Sequence, residues 1–204
     1  MSAIIVDDHP LARLAILNLL ENEGITVSSE AADGAEALKL IESTQPEIVI
    51  LDVDIPILSG IEVVDTLRKQ RYTGIIIVVS AKNDIFYGKR SVDAGANAFV
   101  SKKGGITNII SAIKAAQNGY SYFPFSLNGF VGSLSSEQEK LESLSVQEIK
   151  VMRYILNSAD TASIAAEMNI SSKTVSTYKS RLMEKLECKT LMDLFSFASR
   201  NGVG

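Results

Sequence analysis

The chain has 204 residues and a formal net charge of −4, with 46 % hydrophobic and 22 % charged residues, ordinary for a soluble globular protein and enough for one large domain or two small ones. No stretch reaches the roughly 18 apolar residues of a membrane span, and the opening "MSAIIVDDHP" meets acid at residue 7 with no basic region before it, so neither a membrane anchor nor a secretory signal is expected. Cys188 is the only cysteine, which excludes an intrachain disulfide and fits a reducing cytoplasm.

Along the first 120 residues, short apolar runs alternate with helical patterns. "AIIV" (3–6) reads as a buried strand and "LARLAILNLLENEG" as the helix after it. "ITVSSEA" and "GAEALKLIEST" form the next strand and helix, then "EIVIL" and "SGIEVVDTLRKQ". "GIIIVVSA" precedes a helix near 84–94, and "NAFVS" precedes "ITNIISAIKAAQNG". Strands of this length separated by helices predict a parallel sheet covered on both faces. Five such units fit a flavodoxin-like doubly wound α/β fold with strand order 2-1-3-4-5.

After Gly119 the rhythm breaks. "YSYFPFSLNGFVGSLSSEQEK" mixes aromatics with Ser, Gly and Pro, and residues 119–140 read as an interdomain linker docked partly through its aromatics. From 141 to 204 the patterns are helical: "SVQEIKVMRYILN", "TASIAAEMN", "SSKTVSTYKSRLMEKL" and "TLMDLFSFASRN" predict a small all-α domain. Charge divides along the same line. Residues 1–133 hold 11 Lys/Arg against 15 Asp/Glu, residues 134–204 hold 9 of each, and 171–189 hold five bases against two acids.

The chemistry gathers where the strands end. In open α/β sheets, ligands bind beyond the carboxyl ends of the strands. The first strand runs into Asp7 and Asp8, the third into Asp52, the fourth into Ser80 and the fifth into Lys102. The proposed strand order brings these to one end of the sheet. Two carboxylates 4 Å apart repel by about 4 kcal/mol at an effective dielectric near 20, which a divalent cation cancels. A hard ion that binds one or two carboxylates together with a phosphate is Mg²⁺. The set suits phosphoryl transfer, with Asp52 as nucleophile, Lys102 as counter-charge and Ser80 as hydrogen-bond donor.

These residues resemble the receiver domain of two-component response regulators, over residues 1–118. The resemblance implies that Asp52 is the phospho-acceptor and that Asp7 and Asp8 are the metal-binding acidic pair, with Asp52 itself a further metal ligand and Asp54 adding its backbone carbonyl. It further implies Ser80 as the switch hydroxyl, Lys102 as the phosphoryl-pairing lysine, and Phe99 as the aromatic that turns inward on activation. Lys103 departs from the proline many receivers place there. Asp8 taken alone also suits a helix N-cap, and His9, before Pro10, reads as a turn or surface residue. "LDVD" also resembles the nucleophile motif of haloacid-dehalogenase-type phosphatases. That motif belongs on a first strand, however, and needs a later acidic group, and no Asp or Glu lies between Lys102 and Glu137.

In "NISSKTVSTYKSRLMEKLECKT", Val175, Leu182 and Leu186 are expected to face inward. Lys173, Thr174, Ser176, Thr177, Lys179, Ser180 and Arg181 supply bases and small hydroxyls suited to phosphates and base edges in the major groove. With the short "TASIAAEMNI" helix before it, this makes a helix-turn-helix. A solvated basic face would show the same charges. The landmarks Leu144-Ser145, Glu148, Ile164-Ala165, Ile170-Ser171, Thr174-Val175 and Lys185-Leu186 resemble the LuxR/NarL-type output domain. Ser158 stands where that family commonly has a helix-ending glycine, and a strained or rearranged turn is expected there. In this family the last helix serves dimerisation, which assigns Leu191, Leu194, Phe195 and Ala198 to one contact face.

Receiver and output together resemble the NarL/FixJ class. That resemblance implies a cytoplasmic, non-enzymatic transcription regulator with Mg²⁺ as cofactor, phosphorylated at Asp52 by a sensor histidine kinase through a phosphorelay. It further implies binding to double-stranded DNA as a homodimer, with RNA polymerase among the candidate partners. The alternative is a DNA-binding regulator whose pseudo-receiver switches without phosphate.

Overall fold

The computed structural model describes residues 1–123 and 136–203. The chain divides into two compact units, Met1–Phe125 and Ser126–Gly204. The first unit alternates β1 (Ser2–Val6), α1 (Pro10–Asn22), β2 (Thr26–Ala31), α2 (Gly34–Thr44), β3 (Ile48–Asp52), α3 (Gly60–Lys69), β4 (Ile75–Ser80), α4 (Asp84–Asp93), β5 (Ala98–Ser101), a 3₁₀ turn at Lys102–Gly104, and α5 (Asn108–Gln117). The five strands are parallel and ordered β2-β1-β3-β4-β5, as the sequence rhythm predicts.

Burial follows position in the sheet. β3 is buried at every residue and β1, β4 and β5 at all but one, whereas the edge strand β2 alternates exposed and half-buried positions until Ala31. One core joins Ile5, Ile50, Ile77, Val79 and Val100 of the strands to Ile16, Leu20, Ile109 and Ile113 of the helices. Polar side chains start the helices. Asp33 caps α2, Asn83 caps α4, and Ser59 with Glu62 forms a reciprocal capping box on α3. Gly60 opens α3 directly against the main-chain carbonyl of Asp52, where any side chain would collide with the backbone. That close approach fixes the loop after β3.

The second unit contains α6 (Ser136–Glu142), α7 (Val146–Leu156), α8 (Thr161–Glu167), α9 (Ser172–Lys185) and α10 (Leu191–Asn201). Residues 124–135 of the expected linker lie outside the described residues. Helical structure starts at Ser136, earlier than the boundary expected at 141. The reason is packing: Leu141 is fully buried, and Glu137 accepts from Arg200 and Asn201 at 3.0 Å each. At the other end of the linker, Tyr122 bridges in parallel to Ala98 of β5 and packs against the core. No described helix is long and apolar enough to cross a membrane.

The turn at Ser158 has the predicted left-handed backbone, with φ at 62°. The Ser158 N–H donates to the Ile155 carbonyl and the Ala159 N–H to the Tyr154 carbonyl, each at 2.9 Å. This is a Schellman closure with serine in the glycine position. Asn169 and Glu187 close α8 and α9 with the same positive φ.

Candidate functional site: an acidic strand-end pocket and a basic helix

Parallel pairing sets the pocket. β1, β3, β4 and β5 end side by side, with Val6 opposite Leu51, Asp52 opposite Val79, and Ser80 opposite Ser101. Residues immediately beyond these pairs therefore converge. Asp7, Asp52 and Ser80 are buried polar groups at the end of an apolar sheet core. Lys102 Nζ lies 2.7 Å from Asp7 Oδ2 and 2.9 Å from Asp52 Oδ1, spanning the first and third strand ends. Asp52 Oδ2 accepts the Asp54 N–H at 3.1 Å, and Ser80 Oγ accepts the Lys82 N–H at 3.0 Å.

Burial pushes the Asp52 carboxyl above its ordinary range, against the pull of the Lys102 ammonium, and the neighbouring Asp7 charge adds to the rise. Burial alone would lower Lys102, but the Asp52 and Asp7 carboxylates outweigh it and hold the ammonium charged well into the alkaline range. The pocket thus holds a desolvated carboxylate beside a fixed positive charge, which suits an oxygen nucleophile toward phosphorus.

Asp8 is 34 % exposed. It does not cap α1, because the N-cap residue is His9, which makes no side-chain capping bond, with Pro10 following in the first turn. Asp8 Oδ1 is shielded from solvent, with His9 Nδ1 2.7 Å away. Asp7, Asp8 and His9 present ligand atoms within 4.8 Å of one another. Two adjacent carboxylates, one of them buried, fit a hard divalent cation such as Mg²⁺. The Asp54 side chain is committed elsewhere, to Lys82 Nζ at 2.7 Å. Phe99 is fully buried.

Two residues that sequence reasoning passed over shape this pocket. Arg13 donates from Nη1 to the Asp7 carbonyl at 2.6 Å and from Nε to Glu30 at 3.0 Å, pinning the turn that carries the acidic pair. Lys82 neutralises Asp54 at the pocket rim. Arg13 falls one turn into an amphipathic helix and Lys82 in a loop, and neither position carries a one-dimensional signal of its partner.

In the second unit, α9 begins at Ser171, whose hydroxyl accepts the Thr174 N–H at 3.1 Å. Val175, Leu182 and Leu186 are buried, as predicted. Lys173, Ser176, Thr177, Ser180 and Arg181 are exposed, while Thr174 and Lys179 are half-buried. Ser176 and Thr177 donate to the carbonyls of Ser172 and Lys173 at 3.0 Å each, leaving their oxygens able to accept. Lys179 borders a shallow cleft shared with Ile155, Leu191 and Phe195. The helix is tied from below: Lys185 Nζ reaches the buried Glu148 carboxylate of α7 at 2.7 Å and the Ser143 carbonyl at 2.8 Å.

The expected four-residue face on α10 is corrected. Leu194 and Ala198 are buried with Phe197 in the unit's own core. Positions 194, 197 and 198 follow the helical repeat and form the inward stripe. Leu191 at 42 % and Phe195 at 38 % exposure remain outside, joined by Met192.

Comparison with known proteins gives both units a family. Residues 3–114 match the response regulator receiver domain, and residues 142–198 match the LuxR family of bacterial regulatory proteins. The chain is 65 % identical over its whole length and the whole of its relative to the DNA-binding transcriptional activator EvgA of Escherichia coli K12. It is 34 % identical to the virulence-factor transcription regulator BvgA of Bordetella pertussis, covering 98 % of this chain and 97 % of that protein. It resembles the structure of RcsB from Salmonella enterica serovar Typhimurium bound to a promoter in the presence of phosphomimetic BeF₃⁻, with a TM-score of 0.79, 25 % identity and 98 % of each chain covered. The chain therefore belongs to the bacterial response regulators that join a receiver domain to a LuxR-type DNA-binding domain.

Proposed function

We propose that Asp52 is the phospho-acceptor and that its modification controls dimerisation and DNA binding by the second unit. The observation that supports this reading is the Asp52–Lys102–Asp7 cluster, a buried carboxylate at the end of a central strand, 2.9 Å from an ammonium. A carboxylate oxygen of Asp52 attacks phosphorus, the bond to the donor's histidine nitrogen breaks, and an acyl phosphate remains on Asp52. Lys102 pairs with the charge that arrives, and Ser80 turns its hydroxyl toward a phosphoryl oxygen. Asp7, Asp8, Asp52 and the Asp54 carbonyl would hold Mg²⁺, which when bound neutralises phosphoryl charge.

Phosphorylation adds close to two negative charges at neutral pH, and shifting a switch from mostly off to mostly on needs several kcal/mol of differential stabilisation. Two output units then offer their α9 helices to half-sites about one helical turn apart. Lys173, Lys179 and Arg181 meet phosphates, Ser176, Thr177 and Ser180 meet base edges, and Thr174 fixes the helix start. The exposed Leu191 and Phe195 of α10 serve the dimer contact. The partners are a sensor histidine kinase acting through a phosphorelay, a second copy of the chain, double-stranded DNA in the cytoplasm, and RNA polymerase at the promoter. The kinship with EvgA favours activation of transcription and regulation rather than turnover of a substrate. The domain limits proposed are 1–118 for the receiver and 136–204 for the output, which α6 extends upstream of residue 141.

The test is intact mass after incubation with a small phosphodonor, with and without Mg²⁺, for wild type and Asp52→Asn. A Mg²⁺-dependent gain of one phosphoryl group, absent from the variant, is the expected result. Equal DNA affinity before and after full modification would favour a pseudo-receiver that signals through protein contacts alone.

A further inference from the structure

We propose that Ser101 is a positioning residue for the phosphoryl site: its hydroxyl donates to Ser80 Oγ when Ser80 turns toward a phosphoryl oxygen, and so aims the Ser80 proton. The inference rests on the reading of Asp52 as phospho-acceptor and Ser80 as a hydroxyl donor to it, and adds one residue to that site.

Ser80 and Ser101 end β4 and β5 and stand opposite each other in the parallel register. Ile77 and Val79 of β4, with Ala98 and Val100 of β5, belong to the core that α1 and α5 complete. Side chains alternate along a strand, so Ser80 and Ser101 share the other face, together with Phe99. Neighbouring strands run about 4.8 Å apart. Each hydroxyl turns on a single χ1 bond, so rotation of either side chain brings the two oxygens within hydrogen-bond reach. The next residue, Lys102, already reaches Asp52 at 2.9 Å. Ser101 thus lies beside one phosphoryl-site group along the chain and beside another across the sheet.

The Ser101 hydroxyl has no other duty. Its oxygen is shielded from solvent without a hydrogen-bond partner, and no other shielded side-chain hydroxyl among the described residues is left so. Ser101 also holds the N-cap position of the 3₁₀ turn at Lys102–Gly104, yet makes no side-chain capping bond there. Ser80 Oγ, by contrast, accepts the Lys82 N–H at 3.0 Å, and Ser91 Oγ donates to the Tyr87 carbonyl at 2.7 Å. A shielded donor left unpaired is unfavourable, so an arrangement that pairs it gains stability. A serine oxygen carries one proton and two lone pairs. When the Ser80 proton points to a phosphoryl oxygen, a donor to one of its lone pairs polarises the O–H and strengthens that bond. Ser101 is the shielded donor in register to supply it. The chain from Ser101 O–H to Ser80 O–H to phosphoryl oxygen transfers no proton and forms no covalent bond; it holds Ser80 in the rotamer that serves the acceptor.

Beryllofluoride, a phosphoryl mimic, is titrated into full-length protein at saturating Mg²⁺ and followed by fluorine NMR. Ser101→Ala is expected to weaken its binding roughly threefold to tenfold, the range of one net hydrogen bond. Ser101→Thr keeps the hydroxyl and is expected to stay within about twofold of wild type. Ser101→Val has the shape of threonine without the hydroxyl and is expected to match Ser101→Ala. In a Ser80→Ala background, Ser101→Ala is expected to add less than about twofold, because the group it aims is gone. The rate of phosphoryl uptake from phosphoramidate is expected to follow the same pattern. Equal beryllofluoride affinity in wild type and Ser101→Ala would overturn the proposal. So would Ser101→Thr behaving like Ser101→Val, which would make shape the cause. A Ser101→Ala effect that persists at full size in the Ser80→Ala background would also overturn it, since Ser101 would then act through packing or directly. Wild-type binding that survives Asp52→Asn, or no binding at all, would instead remove the reading of Asp52, and the proposal with it.

Discussion

Removing the Glu148 side chain should destabilise the output unit by much more than its surroundings in "SVQEIK" suggest. Its side chain is 3 % exposed and one oxygen takes both the Ser145 N–H and Lys185 Nζ, each at 2.7 Å. A charged hydrogen bond is worth about 1.5–3 kcal/mol. The lower half of that range applies, because the Lys185 side chain is 36 % exposed and keeps its bond to the Ser143 carbonyl. Loss of the capping box adds about 1 kcal/mol. Glu148→Ala is therefore expected to cost about 2.5–3 kcal/mol, or some 10 °C or more in the melting of a unit this small. Glu148→Gln keeps an acceptor for Ser145 and is expected to cost about 1 kcal/mol. Urea unfolding read by amide exchange in α7 and α9 isolates this unit from the receiver. Burial alone would raise the Glu148 carboxyl, but Lys185 and the Ser145 donors outweigh it and hold it below the usual range. Its folded pKa is thus depressed, so its contribution is present above the unfolded carboxyl range near 4.3 and is lost as pH falls through the lower folded value. The variants should flatten that acid limb. A cost below about 0.5 kcal/mol for Glu148→Ala, within the range of an exposed surface ion pair, would refute the argument.

Asp52→Asn should abolish phosphoryl uptake yet stabilise the receiver by about 1 kcal/mol in chelator, as relief of functional-site strain commonly does. Burial raises the Asp52 pKa in the folded state. Wild-type stability should therefore rise as pH falls through that value, and the variant should lose this slope; urea titrations at several pH values read both effects. Lys179→Ala and Arg181→Ala should each weaken DNA binding across sequences and reduce the logarithmic salt slope by roughly one. Fluorescence anisotropy at graded salt checks this, and an unchanged slope for both would remove α9 from the interface. Ser158→Gly should stabilise the output unit by about 1 kcal/mol, because φ at 62° suits glycine. Ser158→Ala should bring no such gain, and thermal melts of both variants decide.

The sheet was legible because its strands are almost uniformly apolar and end abruptly in polar residues. "IVILD" and "IIIVVS" show both period and terminus. The pocket was legible because parallel order converts strand ends into neighbours, so Asp7, Asp52, Ser80 and Lys102 could be brought together from topology alone. What escaped depends on three-dimensional reach. Arg13 crosses to the Asp7 carbonyl through its long side chain, and α6 is held by Glu137 meeting Arg200 and Asn201 more than sixty residues later. On α10 the apolar residues cover more than one stripe, and period alone could not say whether 191 and 195 or instead 197 completes the inward face. The core chose the latter, leaving Leu191 and Phe195 outside.

One prediction concerns how the receiver's edge is finished. β5 lies at the edge of the sheet, and its free side is partly closed by the chain just beyond α5. The Phe99 N–H donates to the Tyr122 carbonyl at 2.9 Å, and the Tyr122 N–H donates to the Asn97 carbonyl at 3.2 Å. The half-buried Tyr122 side chain also packs against the core that includes Ala98 and Val100. The residues leading toward the output unit are thus hydrogen-bonded to Phe99, three positions from Lys102. Tyr122→Ala should remove part of the packing that holds this bridge, at about 1–2 kcal/mol for a partly buried aromatic, less than the full core penalty. Opening of the Phe99 amide should become roughly tenfold or more easier, since 1.4 kcal/mol is a factor of ten. Amide exchange resolved at Phe99 reads this directly, and Tyr122→Phe, which keeps the ring, should leave it close to wild type. If Phe99 exchanges equally slowly in Tyr122→Ala, the sheet alone protects that amide and the bridge carries no mechanical weight. If exchange quickens and phosphodonor treatment quickens it further in the wild type, the strand bearing Phe99 and the start of the linker move as one element.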